Sequence, residues 1–172
     1  MIFQQVYKCI LSVSAMALLL GATAFAQTQQ DKNFVKTAME INVAEIRIGQ
    51  LVSKQGASES VRKFGQRMIA DHTWLENEIT PIAAKIGISP PTELAPDDQA
   101  LLTKLQGESG IDFDATYVSA MVDGHRKALQ LYKMEKTDAQ DSAVKSAATH
   151  GEPIIAEHLQ MAQHLQSTIG KS

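Results

Sequence analysis

Four polar residues stand in this chain where the pattern around them demands apolar ones. The stretch DFDATYVSAMVDGHRKALQLY, residues 112–132, repeats its apolar positions three and four apart, like the buried face of a helix, yet it sets His125 on that face. The same spacing picks out Glu45, His72 and His158 in three other stretches, and Asp114 near the start of the third. Burying an imidazole or a carboxylate is expensive unless something shares it, and a metal ion satisfies several at once. Both donor types suit zinc, iron or copper, so Glu45, His72, His125 and His158 are the candidate ligands of a transition metal. Asp114 and Tyr117 form a secondary set. Asp71 and Glu76, each within a turn or so of His72, are candidates to orient its second nitrogen.

A second pattern bears on the metal. Met68 precedes His72 by four, Met121 precedes His125 by four and Met161 follows His158 by three, so each histidine has a thioether on its own face. Imidazole with thioether favours copper, Cu(I) above all, although methionine also fills gaps in helical cores. At a rise of about 1.5 Å per residue, Glu45 and His72 differ in level by about five residues, roughly 7.5 Å, counted from the turn at Gly56, which long side chains can partly span. His125 and His158 differ by about nine, roughly 14 Å, counted from a turn near Thr137, which is too far for one ion without a bend. One ion with three of the four ligands, or two separate polar layers, are both compatible with that count.

Two other roles fit the same residues. A histidine in a helical seam can hydrogen-bond to a carboxylate and only fix register, with Glu45 paired to His72, and Asp114 or Tyr117 to His158. That reading makes the chain a structural or stress-related envelope protein that acts through a protein partner. An acid–base enzyme built on His125, Tyr117 and Asp114 has the parts but no pocket signature. His150 and His164 fall off the seam and are expected in solvent, and Trp74 is expected to pack.

These residues have to be positioned by helices. Glycine and proline are sparse and mark four long runs. The first starts after the capping residues Asp31 and Asn33 and ends at Gly56; the second runs from Ser58 to Gly87. Pro81 should kink the second or split off its last turn and a half. The segment SPPTELAPDD is a connector, and a minor helix from about Asp97 to Gln106 follows it. The third run spans about Ile111–Lys136 and the fourth about Asp138–Ile169, with a bend at Gly151 and Pro153. Each run carries a 3,4 seam. The seams are Phe34, Ala38, Ile41, Glu45, Ile48 and Val52; Val61, Gly65, Met68, His72, Leu75, Ile79, Ile82 and Ile86; Asp114, Val118, Met121, His125, Ala128 and Tyr132; and Val144, Ala148, Gly151, Ile155, His158, Ala162, Leu165 and Ile169. The expected fold is all-α, an antiparallel four-helix bundle with the connector and minor helix between its second and third helices.

Composition narrows the function. Residues 1–26 read as an export signal: Lys8, an apolar stretch from Ile10 to Leu20 shorter than the ~20 residues of a membrane span, and the small-x-small site Ala24-Phe25-Ala26. Cleavage after Ala26 leaves 146 of 172 residues, one domain with a full core, in the periplasm or secreted. An uncleaved signal would anchor the chain to the membrane instead. The only cysteine, Cys9, lies in the signal, so the mature chain has no thiol chemistry and no disulfide. Without Lys8 it carries 15 basic and 19 acidic residues, a net charge of −4, and no basic cluster with aromatics, which excludes nucleic acid as a partner. No stable membrane insertion of the mature chain is expected. The Glu-x-x-His pairs of di-iron bundles, phosphate loops, Gly-x-Ser-x-Gly and His-Glu-x-x-His are all absent from the sequence.

The stretches from Phe34 to Ile79, from Gly110 to Leu129 and from Glu152 to Leu165 resemble the bacterial exported family catalogued as domain of unknown function 4142. The motifs that carry the resemblance are Asp71-His72-Thr73, Phe113-Asp114-x-x-Tyr117 with His125 eight residues on, and His158-Leu159. It implies a ferritin-like bundle in the periplasm or envelope and no known activity. The family's motif histidines fall on His72, His125 and His158, and its first-helix acid on Glu45. Glu152-Pro153 stands where such proteins tend to have Leu-Pro, which adds a carboxylate at the bend.

Overall fold

A chain with few helix breakers and a repeating 3,4 apolar pattern should be helical nearly throughout, and it is. The computed structural model describes residues 2–169, with side chains from residue 29 onward, and these residues form five helices and no strand. They are α1 (Ile2–Gln55), α2 (Glu59–Lys85), α3 (Pro96–Gln106), α4 (Gly110–Asp138) and α5 (Ser142–Thr168). The expected export signal lies outside the residues whose side chains are described. No helix among the described residues is long and apolar enough to cross a membrane.

The helices pack as a bundle. Short turns join α1 to α2 and α4 to α5, and each of these pairs makes the most extensive helix contacts; α2 then meets α5, and α1 meets α4 more sparingly. Two glycines set the closeness of the first pair. A Cβ on Gly49 would stand 2.9 Å from the carbonyl oxygen of Gly65, so only hydrogen fits where these backbones meet. In the second pair Gly151 leaves the notch that Tyr132 fills, since a Cβ there would come within 2.3 Å of the ring.

The turns are capped from across the bundle. Asp114 of α4 accepts hydrogen bonds from the backbone N–H groups of Ala57 and Ser58, both at 2.8 Å, just ahead of α2. Asp31 of α1 does the same for Gln140 at 3.2 Å and Asp141 at 2.8 Å, just ahead of α5. Two expectations change here. Asp31 does not start its own helix; it lies within α1 and caps another, because a carboxylate stabilises whichever exposed N–H groups it can reach. Both oxygens of Asp114 are engaged in that task, whereas the spacing had set it in the seam as a candidate beside the histidines. Ser58 and Asp141 add local caps, accepting from Val61 and from Ala143 and Val144 respectively.

Pro81 does not end α2, which runs on to Lys85. Asn77, whose carbonyl loses its donor, is exposed together with Pro81, so water can satisfy it. Pro153 sits inside α5 in the same way. Its neighbour Glu152 turns outward to an ion pair with Lys136 at 2.9 Å, so the extra carboxylate at that position serves the surface.

Nearly all the expected seam positions are buried; Ile41, Ile82, Ile86 and Ile169 are only partly covered. The apolar core falls into two parts. One gathers Phe34, Met39, Leu75, Ile79, Tyr132 and Ile155; the other gathers Ile48, Val52, Phe64, Met68, Tyr117 and Leu165. On each of α1, α2, α4 and α5 a polar residue divides the two: Asn42 with Glu45, His72, His125 and His158.

Candidate metal centre

The polar layer is almost sealed from solvent, with His72 and His158 0 % exposed, His125 2 % and Glu45 8 %. The three imidazoles form one cluster. Ring centroids are 5.8 Å apart for His72 and His125, 5.3 Å for His72 and His158, and 5.3 Å for His125 and His158. One nitrogen of each ring lies within 4.8 Å of the corresponding nitrogens of the other two. A single layer therefore replaces the two-layer alternative. The level count placed the second turn near Thr137, whereas α4 runs to Asp138 and α5 starts at Ser142. From Gln140, His125 lies 15 residues back and His158 18 residues on, a step of about three residues or roughly 4.5 Å, which side chains span.

Each ring is held by one nitrogen and has nothing bonded to the other. Nδ1 of His125 lies 3.0 Å from the Met121 carbonyl oxygen, which can only accept, so the proton is on Nδ1 and the lone pair on Nε2. Nε2 of His158 lies 2.8 Å from Oδ2 of Asp71, an acceptor likewise, which leaves the lone pair on Nδ1. Nδ1 of His72 lies 2.9 Å from Oδ1 of Asn42, and the amide nitrogen of Asn42 donates to Glu76 at 3.2 Å, so Nδ1 carries the proton there too. The nitrogens left over, His72 Nε2, His125 Nε2 and His158 Nδ1, are buried without any hydrogen-bond partner. Leaving a buried polar atom unsatisfied costs about 1–3 kcal/mol.

Electrostatics keep these lone pairs free. Burial lowers the pKa of His72 far below the ordinary imidazole value, and His125 and His158 lower it further. His125 is pushed down to about 4 by burial and by His158. His158 is also lowered, chiefly by burial, with Asp71 opposing. The cluster is thus neutral at pH 7, and neutral imidazole is the form that binds metal.

Glu45 stands apart from the trio. Its Oε1 lies 3.9 Å from Nδ1 of His125, the nitrogen already bonded to Met121, and its Oε2 has no partner. Burial, aided by Asp98, raises its pKa to about 8. The expected pairing of Glu45 with His72 is not formed; Asn42 takes that place. Tyr117 is fully buried with an unpartnered hydroxyl, packed at 5.9 Å against Phe64, whose ring in turn stands 6.5 Å from His158. It pairs with no histidine. Met68 and Met121 are buried in the part of the core that holds Phe64 and Tyr117, and Met121 meets His125 through its carbonyl.

Two supporting residues read differently in three dimensions. Asp71 was matched to its neighbour His72, yet successive residues on a helix point about 100° apart, and Asp71 turns to His158 on α5. Asn42 was missed altogether. Its one sequence signal was an amide within the apolar run Ile41–Ala44, three residues before Glu45 on the same face. His150 and His164 are exposed as expected, while Trp74, expected to pack, is 44 % exposed.

Compared with known proteins, the chain matches a family model, described as domain of unknown function DUF4142, over residues 19–165. No curated protein and no solved structure matches it.

Proposed function

The chain belongs to the DUF4142 domain family, and from that premise we propose that it is a metal-binding protein that holds one divalent transition-metal ion on His72, His125 and His158. The observation that carries this reading is the trio of buried imidazoles, which bring one nitrogen each within 4.8 Å of one another, each ring being fixed through one nitrogen and left without a hydrogen-bond partner at the other. Carbonyl, carboxylate and amide oxygens behind the rings are the partners that orient and strengthen metal-bound imidazoles. Three imidazoles select zinc or copper ahead of magnesium or calcium, with iron third. Asp71, acting through His158, supplies part of the negative charge that a buried dication needs.

The alternative role, a non-catalytic envelope protein whose polar layer fixes helix register, gives these nitrogens nothing to bond to. A register device is satisfied within its own layer, as single polar residues in helical seams are. The rest of the proposal follows the same residues outward. The bundle is an antiparallel four-helix, ferritin-like one with α3 on its connector, residues 1–26 direct export, and the protein binds or buffers the ion in the periplasm.

The test is metal content and thermal unfolding of the chain from residue 27 after chelation and reconstitution with Zn(II), Cu(II) or Co(II). A ligand that binds only the folded state raises Tm by mass action. One equivalent of bound metal and a raised Tm, both lost in His72→Ala and in His158→Ala, are expected. Substoichiometric metal and an unchanged Tm with all three ions would overturn the reading.

A further inference from the structure

Of the three acceptors behind the histidines, one is shared. The Met121 carbonyl that holds His125 belongs to α4 itself, and the Asn42 oxygen that holds His72 belongs to an amide whose nitrogen donates to Glu76. On Asp71 a single oxygen has two donors. Oδ2 lies 2.8 Å from Nε2 of His158 and also accepts from Nε of Arg67, four residues back on the same face of α2. The guanidinium is divided in turn, since its Nη2 donates to Oε2 of Glu157 on α5 at 3.3 Å. Asp71 is partly buried and Arg67 and Glu157 are exposed, so these contacts lead from the sealed cluster to the surface between α2 and α5.

Two donors on one carboxylate oxygen compete for its charge. An ion on Nδ1 of His158 polarises the ring and makes its Nε2–H a stronger donor, so a more negative Oδ2 holds the ion better. Arg67 takes part of that negative charge. It also sets a full positive charge two hydrogen bonds away from the ring, which works against any cation there. Glu157 acts in the opposite sense by drawing the guanidinium toward itself. Exposed ion pairs add little to stability, so the effect of this one falls mainly on the ion.

We propose that Arg67 sets the affinity of the metal centre, weakening it by sharing Asp71 with His158, and that Glu157 offsets part of that weakening. The proposal rests on the metal reading of the histidine cluster and adds to it the residue that keeps the ion exchangeable. Arg67 is bonded to Asp71 and Glu157 and to no histidine. It acts through Asp71, so its influence lasts only while Asp71 carries a charge.

The test is a Co(II) titration of the chain from residue 27 against a competing chelator, read by visible d–d absorption, with release timed after excess chelator is added. Arg67→Gln should tighten binding about threefold to tenfold, mostly through slower release. Glu157→Gln should weaken it about twofold to threefold, because Arg67 is then left to Asp71 alone. The deciding measurement is the cycle with Asp71→Asn, since a coupling through one shared oxygen disappears with the charge of that oxygen. Arg67→Gln added to Asp71→Asn should change Kd by less than about twofold relative to Asp71→Asn alone, and Glu157→Gln added to Arg67→Gln likewise. Lys63→Gln, the same loss of charge one turn back on the exposed face of α2, should bind within about twofold of wild type; thermal unfolding confirms that every variant is folded. Arg67→Gln that leaves Kd unchanged or weakens binding overturns the proposal, as does a gain that survives undiminished with Asp71→Asn, or an equal gain for Lys63→Gln. Glu157→Gln binding as tightly as wild type overturns the part assigned to Glu157. If the wild-type chain gives no saturable Co(II) spectrum, the metal reading itself fails and this one with it.

Discussion

At the scale of single residues, the decisive feature is which nitrogen of each imidazole is free. The acceptor behind each ring settles the tautomer, and Asp71 is the only charged one of the three. Asp71→Asn should therefore weaken Co(II) binding by about 10- to 100-fold without unfolding the chain, as loss of such a supporting carboxylate does; a competition titration against a chelator measures it. The titration of the same residues fixes how the metal-free protein responds to pH. The histidines have lowered folded pKa values, so below 6.5 the unfolded chain takes up protons that the folded one refuses, and stability falls as pH drops from 6.5 toward 4. For His125, shifted from 6.5 to about 4, the full loss is about 3–4 kcal/mol at about 1.4 kcal/mol per pKa unit. Glu45 acts in the opposite sense. Raised from 4.5 to about 8, it is most favourable below 4.5 and loses its contribution as pH climbs toward 8. Three imidazoles outweigh one carboxyl in the acid range, so urea unfolding of the chelated protein should show maximal stability near pH 6.5, a steep acid side and a shallow alkaline one.

At the scale of elements, the helices are held in register by contacts that a helical pattern alone does not reveal. Gly151→Ala places a methyl group 2.3 Å from the Tyr132 ring, so α5 must shift against α4. A loss of about 1–3 kcal/mol in unfolding free energy is expected, with weaker metal binding because His158 lies two turns further along the displaced helix. Asp114→Ala removes both acceptors from the N–H groups ahead of α2 and should cost about 1–2 kcal/mol, leaving metal affinity close to wild type, since Asp114 serves the turn and not the histidines. Chemical denaturation paired with Co(II) titration separates the two. A fall in Co(II) affinity for Asp114→Ala as large as for Gly151→Ala would show that the turn, too, sets the site.

At the scale of the whole molecule, the bundle trades core stability for a polar layer between two apolar halves. Replacing His72, His125 and His158 together by leucine removes the unsatisfied nitrogens, and exchanging a buried polar group for a packed apolar one is often neutral or stabilising. The triple variant should unfold at or above the Tm of the metal-free wild type and show no response to metal. A triple variant that is folded but still gains Tm with zinc or copper would place the ion elsewhere in the chain.

Much of this was legible in the sequence because helical periodicity is local: the seams of all four long helices came from spacing alone, and the three histidines came with them as the misfits. The positions of the helix ends were less legible, since Asp31 and Asp114 cap turns more than fifty residues away, and an error of three residues at the turn after α4 was enough to split one layer into two. Partners across helices were not legible at all. Adjacency in sequence gave Asp71 to His72, and an ordinary amide gave no reason to expect Asn42 behind an imidazole. Sequence by itself determined that the protein is helical and which residues face inward, because burial follows a 3.6-residue period that each helix carries within itself. Only the tertiary structure decided that the three imidazoles meet in one place, which of their nitrogens are free and that Glu45 stands beside them, because those facts depend on how four separate helices are set against one another.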